Sequence, residues 1–303
     1  MNLGVVFALG FAALATLVLI IAWRGATQLI HPPHRRAETS PVNYQLDYEI
    51  ISFTACDGFT LRGWFIPTPN PQGTIVVCHG YTGECSPDLE YAPLFHQYHY
   101  NTLYFDFRGH GMSDGNYTSL VYYERRDLLA ALDFLRVRGI ERVGLYGMSM
   151  GGAIALATAS LSPMVVGVLS DCAFAELCHI VRHNVEKRHV PRILAGSIGW
   201  LVVAIAGIRL RANLFSADPI RWVGRIAPRP LLLMQAANDD DVPIAESQSL
   251  FAAAGEPKEL WLVPNATHRN IESVAREEYR QRVIAFFDKC FIANHNLASK
   301  KSQ

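Results

Sequence analysis

The sequence predicts an α/β fold, with a mostly parallel central sheet, helices on both faces, a helical lid insertion and one N-terminal transmembrane helix. Three observations carry this expectation. Short, continuously apolar runs recur along the chain, as strands buried on both faces of a parallel sheet require. Helical patterns separate those runs, so strand and helix alternate. Residues 1–23 carry no charged side chain, in a chain of 303 residues that is 50% hydrophobic and only 18% charged.

Residues 3–23 are rich in Leu, Val, Ala and Ile. As a helix rising about 1.5 Å per residue, they cover the roughly 30 Å hydrocarbon core of a bilayer. A signal peptide has a basic start, a shorter apolar stretch and a small-residue cleavage site. Here Asn2 is the only polar residue ahead of a longer run, and no lipobox-like cysteine follows. Residues 1–23 therefore read as an uncleaved single-pass membrane anchor. Arg24, Arg35 and Arg36 follow it and no Lys or Arg precedes it, which places the body on the cytoplasmic side. Residues 24–43, with Pro32, Pro33 and Pro41, read as a juxtamembrane linker. The body spans 44–293, and 294–303 form a polar tail expected to fray.

Within the body, 44–54 alternate as a strand, Asp57-Gly58 turns the chain, and 60–66 return as a hairpin. Further strands are expected at 74–78, 102–105, 143–146, 165–169, 231–234 and 260–263, and helices at 89–97, 120–136, 150–159, 245–253 and 271–291. The insertion at about 172–218 breaks this rhythm, and insertions this long are usually functional. It holds a mixed-charge helical pattern at 176–189 and a strongly apolar one at 193–210. Arg192, Arg209 and Arg211 flank the apolar stretch, and the later strands must lie on the same side of any membrane. It reads as a lid helix, facing the sheet or resting on the membrane surface, and not as a second crossing.

Composition excludes other classes. The 27 basic residues are balanced by 27 acidic ones with no basic run, so nucleic acid is not expected as a partner. The 6 cysteines are irregularly spaced without a C-x-x-C pair, so they read as core or surface thiols and not as a disulfide framework, with Cys78 and Cys172 as packing thiols. That agrees with a reducing compartment.

The chemistry concentrates at a few positions. Gly147-Met148-Ser149-Met150-Gly151 follows an expected strand and opens an expected helix, which pushes Ser149 out over the sheet edge. A nucleophilic serine needs N–H donors for the developing oxyanion, and the backbone N–H groups of Tyr81 and Met150 are the candidates. His79, in His79-Gly80-Tyr81-Thr82-Gly83, reads as a packing residue that holds its loop, not as a base. His268 lies between the last strand and the last helix, at the edge where ligands bind in open α/β sheets. Asn238-Asp239-Asp240-Asp241 follows the preceding strand and supplies the acid. The order Ser149, Asp239, His268 fits Ser…Asp…His, with Asp240 and Asp241 as neighbouring candidates.

On these residues, together with Asp106-Phe107-Arg108-Gly109-His110-Gly111-Met112-Ser113-Asp114-Gly115, the sequence resembles the α/β-hydrolase superfamily. The branch is that of serine-aminopeptidase-like and membrane-anchored Bem46-like hydrolases, and the resemblance runs from about Leu46 to Phe291. Related sequences show His-Gly-x-x-Asp-x-x-Val-Pro around the acid, which implies Asp239. Gln235-Ala236 replaces the usual His-Gly, a departure expected not to touch a triad member.

The resemblance implies acyl transfer: Ser149 attacks a carbonyl, His268 takes its proton and Asp239 orients the ring, with no cofactor and no metal. The apolar lid and the anchor suit a small-molecule or lipid-like acyl substrate, an ester or thioester. A peptidase or amidase is the alternative, and a non-catalytic scaffold of the same fold a weaker one. Other motifs are read as structural. Gly109-His110-Gly111 lacks the third glycine of a dinucleotide fingerprint at its required position. His179 and His183 have ligand spacing but no H-E-x-x-H, so they are read as a solvated lid face. Asp171 is assigned no catalytic role.

Overall fold

The computed structural model describes residues 2–35, 37–81 and 83–299. Arg36, one of the three arginines behind the expected orientation, and Thr82 of the His79 loop lie outside the described residues. An eight-stranded sheet forms the centre, in the order β1-β2-β4-β3-β5-β6-β7-β8. Its strands are β1 (Glu49–Thr54), β2 (Thr60–Ile66), β3 (Gly73–Cys78), β4 (Tyr100–Phe105), β5 (Val143–Met148), β6 (Val165–Asp171), β7 (Leu231–Ala236) and β8 (Lys258–Val263). β1 and β2 form the antiparallel edge; every pairing from β4 to β8 is parallel.

Helices α1 (Leu3–Ile30), α2 (Ala92–Gln97), α3 (Glu124–Val137), α4 (Met150–Thr158), α5 (Leu177–Glu186), α6 (Arg192–Leu210), α7 (Ile244–Ala253), α8 (Ile271–Val274) and α9 (Arg276–Ser299) complete the chain. Leu128 and Leu132 of α3 and Ile154 of α4 pack on one face of the sheet; Phe95 of α2 and Tyr279, Val283 and Phe287 of α9 pack on the other. Both faces are thereby buried, and β4, β5, β6 and β7 are buried at every residue. That explains why those strands read as continuous apolar runs.

Several elements differ from expectation for local reasons. The first strand begins at Glu49, because Pro41–Tyr44 form a 3-10 turn and Gln45 takes a left-handed φ of 57°. α3 begins at Glu124, because Leu120 has a φ of 65° and the Glu124 carboxylate accepts from the Thr118 hydroxyl and the Ser119 N–H, both at 2.8 Å. The final helix is split at Ala275 and then runs on to Ser299. Residues 294–299 are therefore helical, and 300–303 lie outside the described residues.

The largest difference concerns the expected linker. α1 does not stop at Trp23 but continues to Ile30. It is long and apolar enough to be a candidate transmembrane span. Its last turn would leave four carbonyls without intrahelical donors. The His31 N–H caps Thr27 at 3.1 Å. The Tyr81 hydroxyl donates to Gln28 at 2.8 Å and lies 3.1 Å from the Leu29 carbonyl, and the Thr118 N–H donates to Ile30 at 2.8 Å. The sheet domain thus terminates the helix, which sequence pattern near Arg24 does not reveal.

Behind the sheet's C-terminal edge, Arg108 is fully buried. Its guanidinium meets Asp127, also buried, at 2.6 Å and Asp57 at 2.8 Å. Burial alone would lower its pKa; the hydrogen bonds to Asp127 and Asp57 outweigh that and raise it above its usual value. The pair fixes the Asp106–Gly115 loop, whose Phe107 N–H donates to His79 Nε2 at 3.0 Å. Arg108→Ala should cost about 3–5 kcal/mol in chemical denaturation, because the buried Asp127 carboxyl is left without its partner. The double change Arg108→Met/Asp127→Leu should cost less than Arg108→Ala alone; a larger cost would show that the ion pair itself stabilises the loop.

Candidate active site

Ser149, His268 and Asp239 come from three separate stretches and meet at the C-terminal edge of the sheet. Ser149 follows β5 with φ 51° and ψ −115°, a conformation L-residues rarely adopt. Two close approaches hold it there. A Cβ on Gly147 would lie 2.5 Å from the Gly151 carbonyl oxygen, and one on Gly151 would lie 1.9 Å from that of Cys78. Only glycine lets β3, β5 and α4 converge this tightly. The Ser149 N–H donates to the Asp171 carbonyl at 2.8 Å.

His268 lies on the loop after β8, between Asn265 and Arg269, with φ 61° and 67°. Its Nε2 is 3.1 Å from Ser149 Oγ and its Nδ1 is 2.8 Å from Asp239 Oδ2. A carboxylate only accepts, so the ring proton sits on Nδ1 and leaves Nε2 free to take the serine proton. Asp239 Oδ1 accepts from the N–H groups of Asp241 at 2.9 Å and Val242 at 2.8 Å. Burial would raise the Asp239 pKa, but the hydrogen bond to His268 and these N–H groups outweigh it and hold the carboxyl below its usual value. Of the three consecutive aspartates, Asp239 is the one that faces the ring. The Asp240 carbonyl accepts from Lys187 Nζ at 2.9 Å and lies 2.8 Å from His183 Nε2, while Asp241 pairs with Lys187 at 3.2 Å.

Of the two expected backbone donors, Met150 adjoins Ser149 and Tyr81 follows Gly80, which approaches it. Met150 opens α4, so its N–H has no intrahelical acceptor. Gly80 approaches from β3; a Cβ on it would lie 3.6 Å from the Ser149 Cβ, and Tyr81 comes next. His79 is fully buried, and burial pushes its pKa well below the usual value. Its Nδ1 lies 2.7 Å from the Gly80 carbonyl and its Nε2 accepts from Phe107, so the neutral ring braces the loop as expected. The His110 ring lies between the carbonyls of Arg108 and Tyr81, at 2.9 and 3.0 Å.

Other neighbours revise the sequence reading. Gln235 does touch the candidate acid: its Nε2 lies 3.3 Å from Asp239 Oδ2 and donates to the Val242 carbonyl at 3.0 Å. A fully buried amide in an otherwise apolar strand was the visible signal. His179 and His183 are not simply a solvated face. His179 Nδ1 lies 3.1 Å from Glu246 Oε1, and His183 reaches the Asp240 carbonyl, so α5 grips the acid loop. Arg269 pairs with buried Asp88 at 2.6 Å, although burial raises the Asp88 carboxyl to about 6. Those partners stand 181 residues apart, so no local pattern marks them. Asp171 is likewise raised to about 6 by burial. Sulfur, nitrogen and oxygen ligand atoms of Cys172, His268 and Asp239 lie within 4.8 Å of one another. Burial pushes the Cys172 thiol well above its usual value.

Comparison with known proteins bears on the family and the fold. The alpha/beta hydrolase family matches residues 75–285. The Salmonella typhimurium protein YfhR is 30% identical over 81% of this chain and 83% of its own length. The Bacillus subtilis protein YqkD is 28% identical over 80% of each. Protein bem46 of Schizosaccharomyces pombe is 23% identical over 86% of each. The structure of an esterase from Pyrococcus furiosus superposes with a TM-score of 0.71 at 25% identity, covering 86% of this chain and 98% of that one. With a family match over most of its sheet domain, the chain belongs to the alpha/beta hydrolase family.

Proposed function

We propose that this chain is a membrane-anchored serine hydrolase that cleaves a carboxylic ester or thioester through an acyl-enzyme. The unbroken path from Ser149 Oγ through His268 to Asp239, with steps of 3.1 and 2.8 Å, carries this reading. Ser149 Oγ attacks the carbonyl carbon while His268 Nε2 takes its proton. Asp239, ionised at neutral pH, stabilises the resulting imidazolium. The N–H groups of Tyr81 and Met150 receive the oxyanion. His268 then protonates the departing alcohol or thiol, and a water activated by the same ring releases the acid. No step requires a cofactor or a metal. The esterase named among the structural relatives supports the ester reading over the amide one. The length and apolarity of α1 support an anchor over a cleaved signal, as does the docking of its last turn, which a cleaved segment would not need. Arg24 and Arg35 support a body on the cytoplasmic side.

A fluorophosphonate probe should label the purified full chain and fail on Ser149→Ala; equal labelling of both would remove Ser149 as nucleophile. Ser149→Ala, His268→Ala and Asp239→Asn should each lower kcat by about 10³-fold or more. A near-wild-type rate in His268→Ala would exclude it as the base. On a panel of p-nitrophenyl esters and aminoacyl-anilides the esters should turn over faster, and preference for anilides would make the chain a peptidase. Protease added to intact cells should leave the body uncut and cleave it only after lysis; digestion in intact cells would invert the orientation.

A further inference from the structure

α6 is apolar on both sides. Its inner stripe, which includes Ala195, Ile198, Val202, Val203 and Ala206, is buried in the core. Its outer stripe runs through Ile193, Trp200, Ala204 and Ile208, with Ile193 88%, Trp200 55% and Ile208 77% exposed. A surface helix of a globular domain places polar residues there. In this stripe Ser197 is the one polar interruption.

The chain indicates what covers that face. α1 packs on α6 more than on any other element. The α1 stripe turned toward the body includes Val18, Ala22, Gly25, Ala26 and Ile30, while Leu17, Leu19, Ile20, Ile21 and Trp23 stay exposed. A Cβ on Gly25 would lie 2.9 Å from a Val202 methyl, so the backbones approach closely there, as helices do in lipid. Arg209 donates to the Thr27 hydroxyl at 2.6 Å and lies over the Trp23 ring at 4.8 Å. If Leu3 to Trp23 occupies hydrocarbon, Val18 and Ala22 lie at membrane depth, and the helix they face lies at the boundary with them. α6 does not cross. Gly199 abuts the backbone of Arg182 on α5, and the Leu210 carbonyl accepts from the Tyr123 hydroxyl at 2.8 Å, so the middle and the C-terminal end of the helix are held by the body. Its ends carry exposed cations, Arg188 before it, Arg192 at its first residue and Arg211 after it. That arrangement suits a helix lying in the plane of anionic headgroups.

We propose that the outer face of α6, through Ile193, Trp200 and Ile208, docks into the headgroup–acyl boundary of a phospholipid bilayer beside α1, with Arg192 and Arg211 at the headgroups. The proposal rests on α1 being an anchor, and the test separates the two. Nitroxide labels are placed singly at Phe11, Ile193, Ile208 and Val137, in the full chain carrying Cys56→Ser and Cys178→Ser. The protein is reconstituted in phosphatidylcholine–phosphatidylglycerol vesicles, and relaxation by oxygen is compared with relaxation by a water-soluble nickel chelate. Val137, 87% exposed on α3, is the aqueous reference. Labels at Phe11, Ile193 and Ile208 should favour oxygen, and Val137 should favour the chelate. Adding Arg192→Asp and Arg211→Asp should shift the α6 labels toward the chelate while Phe11 is unmoved. Lipid contact at Phe11 with Ile193 and Ile208 as aqueous as Val137 would overturn the proposal and leave the anchor standing. An aqueous Phe11 would overturn the anchor and this proposal with it. Dipolar broadening between α6 labels, shielded from both reagents, would assign the face to a second copy of the chain instead.

Discussion

The candidate site depends on one backbone turn. Ser149 is held at φ 51° and ψ −115°, which typically costs about 1–3 kcal/mol and persists only when the surroundings over-determine it. Here they do. β5 lies in the middle of the sheet between β3 and β6, so the turn cannot drift sideways. Gly151 presses against the Cys78 carbonyl from one side, and the Asp171 carbonyl takes the Ser149 N–H from the other. Every other part of the site is positioned relative to that turn. His268 approaches Oγ from β8, and Tyr81 approaches from β3.

Buried polar groups hold those approaching loops, and each has identifiable partners. His79 and His110 fasten the loop that carries Tyr81. The Asp239 loop is held from inside by Gln235 and from outside by His183 and Lys187 of α5. The insertion is therefore more than a cover, since one of its helices supports the residue that orients the ring. Buried networks of this kind are costly when half satisfied, and a change in α5 is felt at Asp239 without any contact to substrate.

Much of this was legible in the sequence, and what was not shares a physical cause. β5 and α4 around Ser149 are legible because burial on both faces and the glycine spacing are local properties. β5, β6 and β7 run two residues further toward the site than their apolar runs suggested, because Gly147, Asp171 and Gln235 are polar or small yet stay in the ladder. Asp239 was distinguishable from Asp240 and Asp241 through a family pattern; in the fold, two N–H groups and one imidazole make the distinction. The contacts of Gln235 with Asp239, of Arg269 with Asp88 and of Tyr81 with the end of α1 were missed for a common reason. Each is a side chain satisfied by a group from another element, and periodicity carries no information about such partners.

The capped end of α1 has a mechanical consequence. A helix joined through a flexible linker lets a domain swing and spin around its point of attachment. Here the Tyr81 hydroxyl donates to the Gln28 carbonyl and the Thr118 N–H to that of Ile30, and Tyr81 also belongs to the loop beside Ser149. The domain cannot swivel about the helix without breaking those bonds, so the height and tilt of the serine relative to the helix axis are built into the chain. If α1 crosses a bilayer, as proposed, this joint and not a linker sets how far Ser149 stands from the membrane.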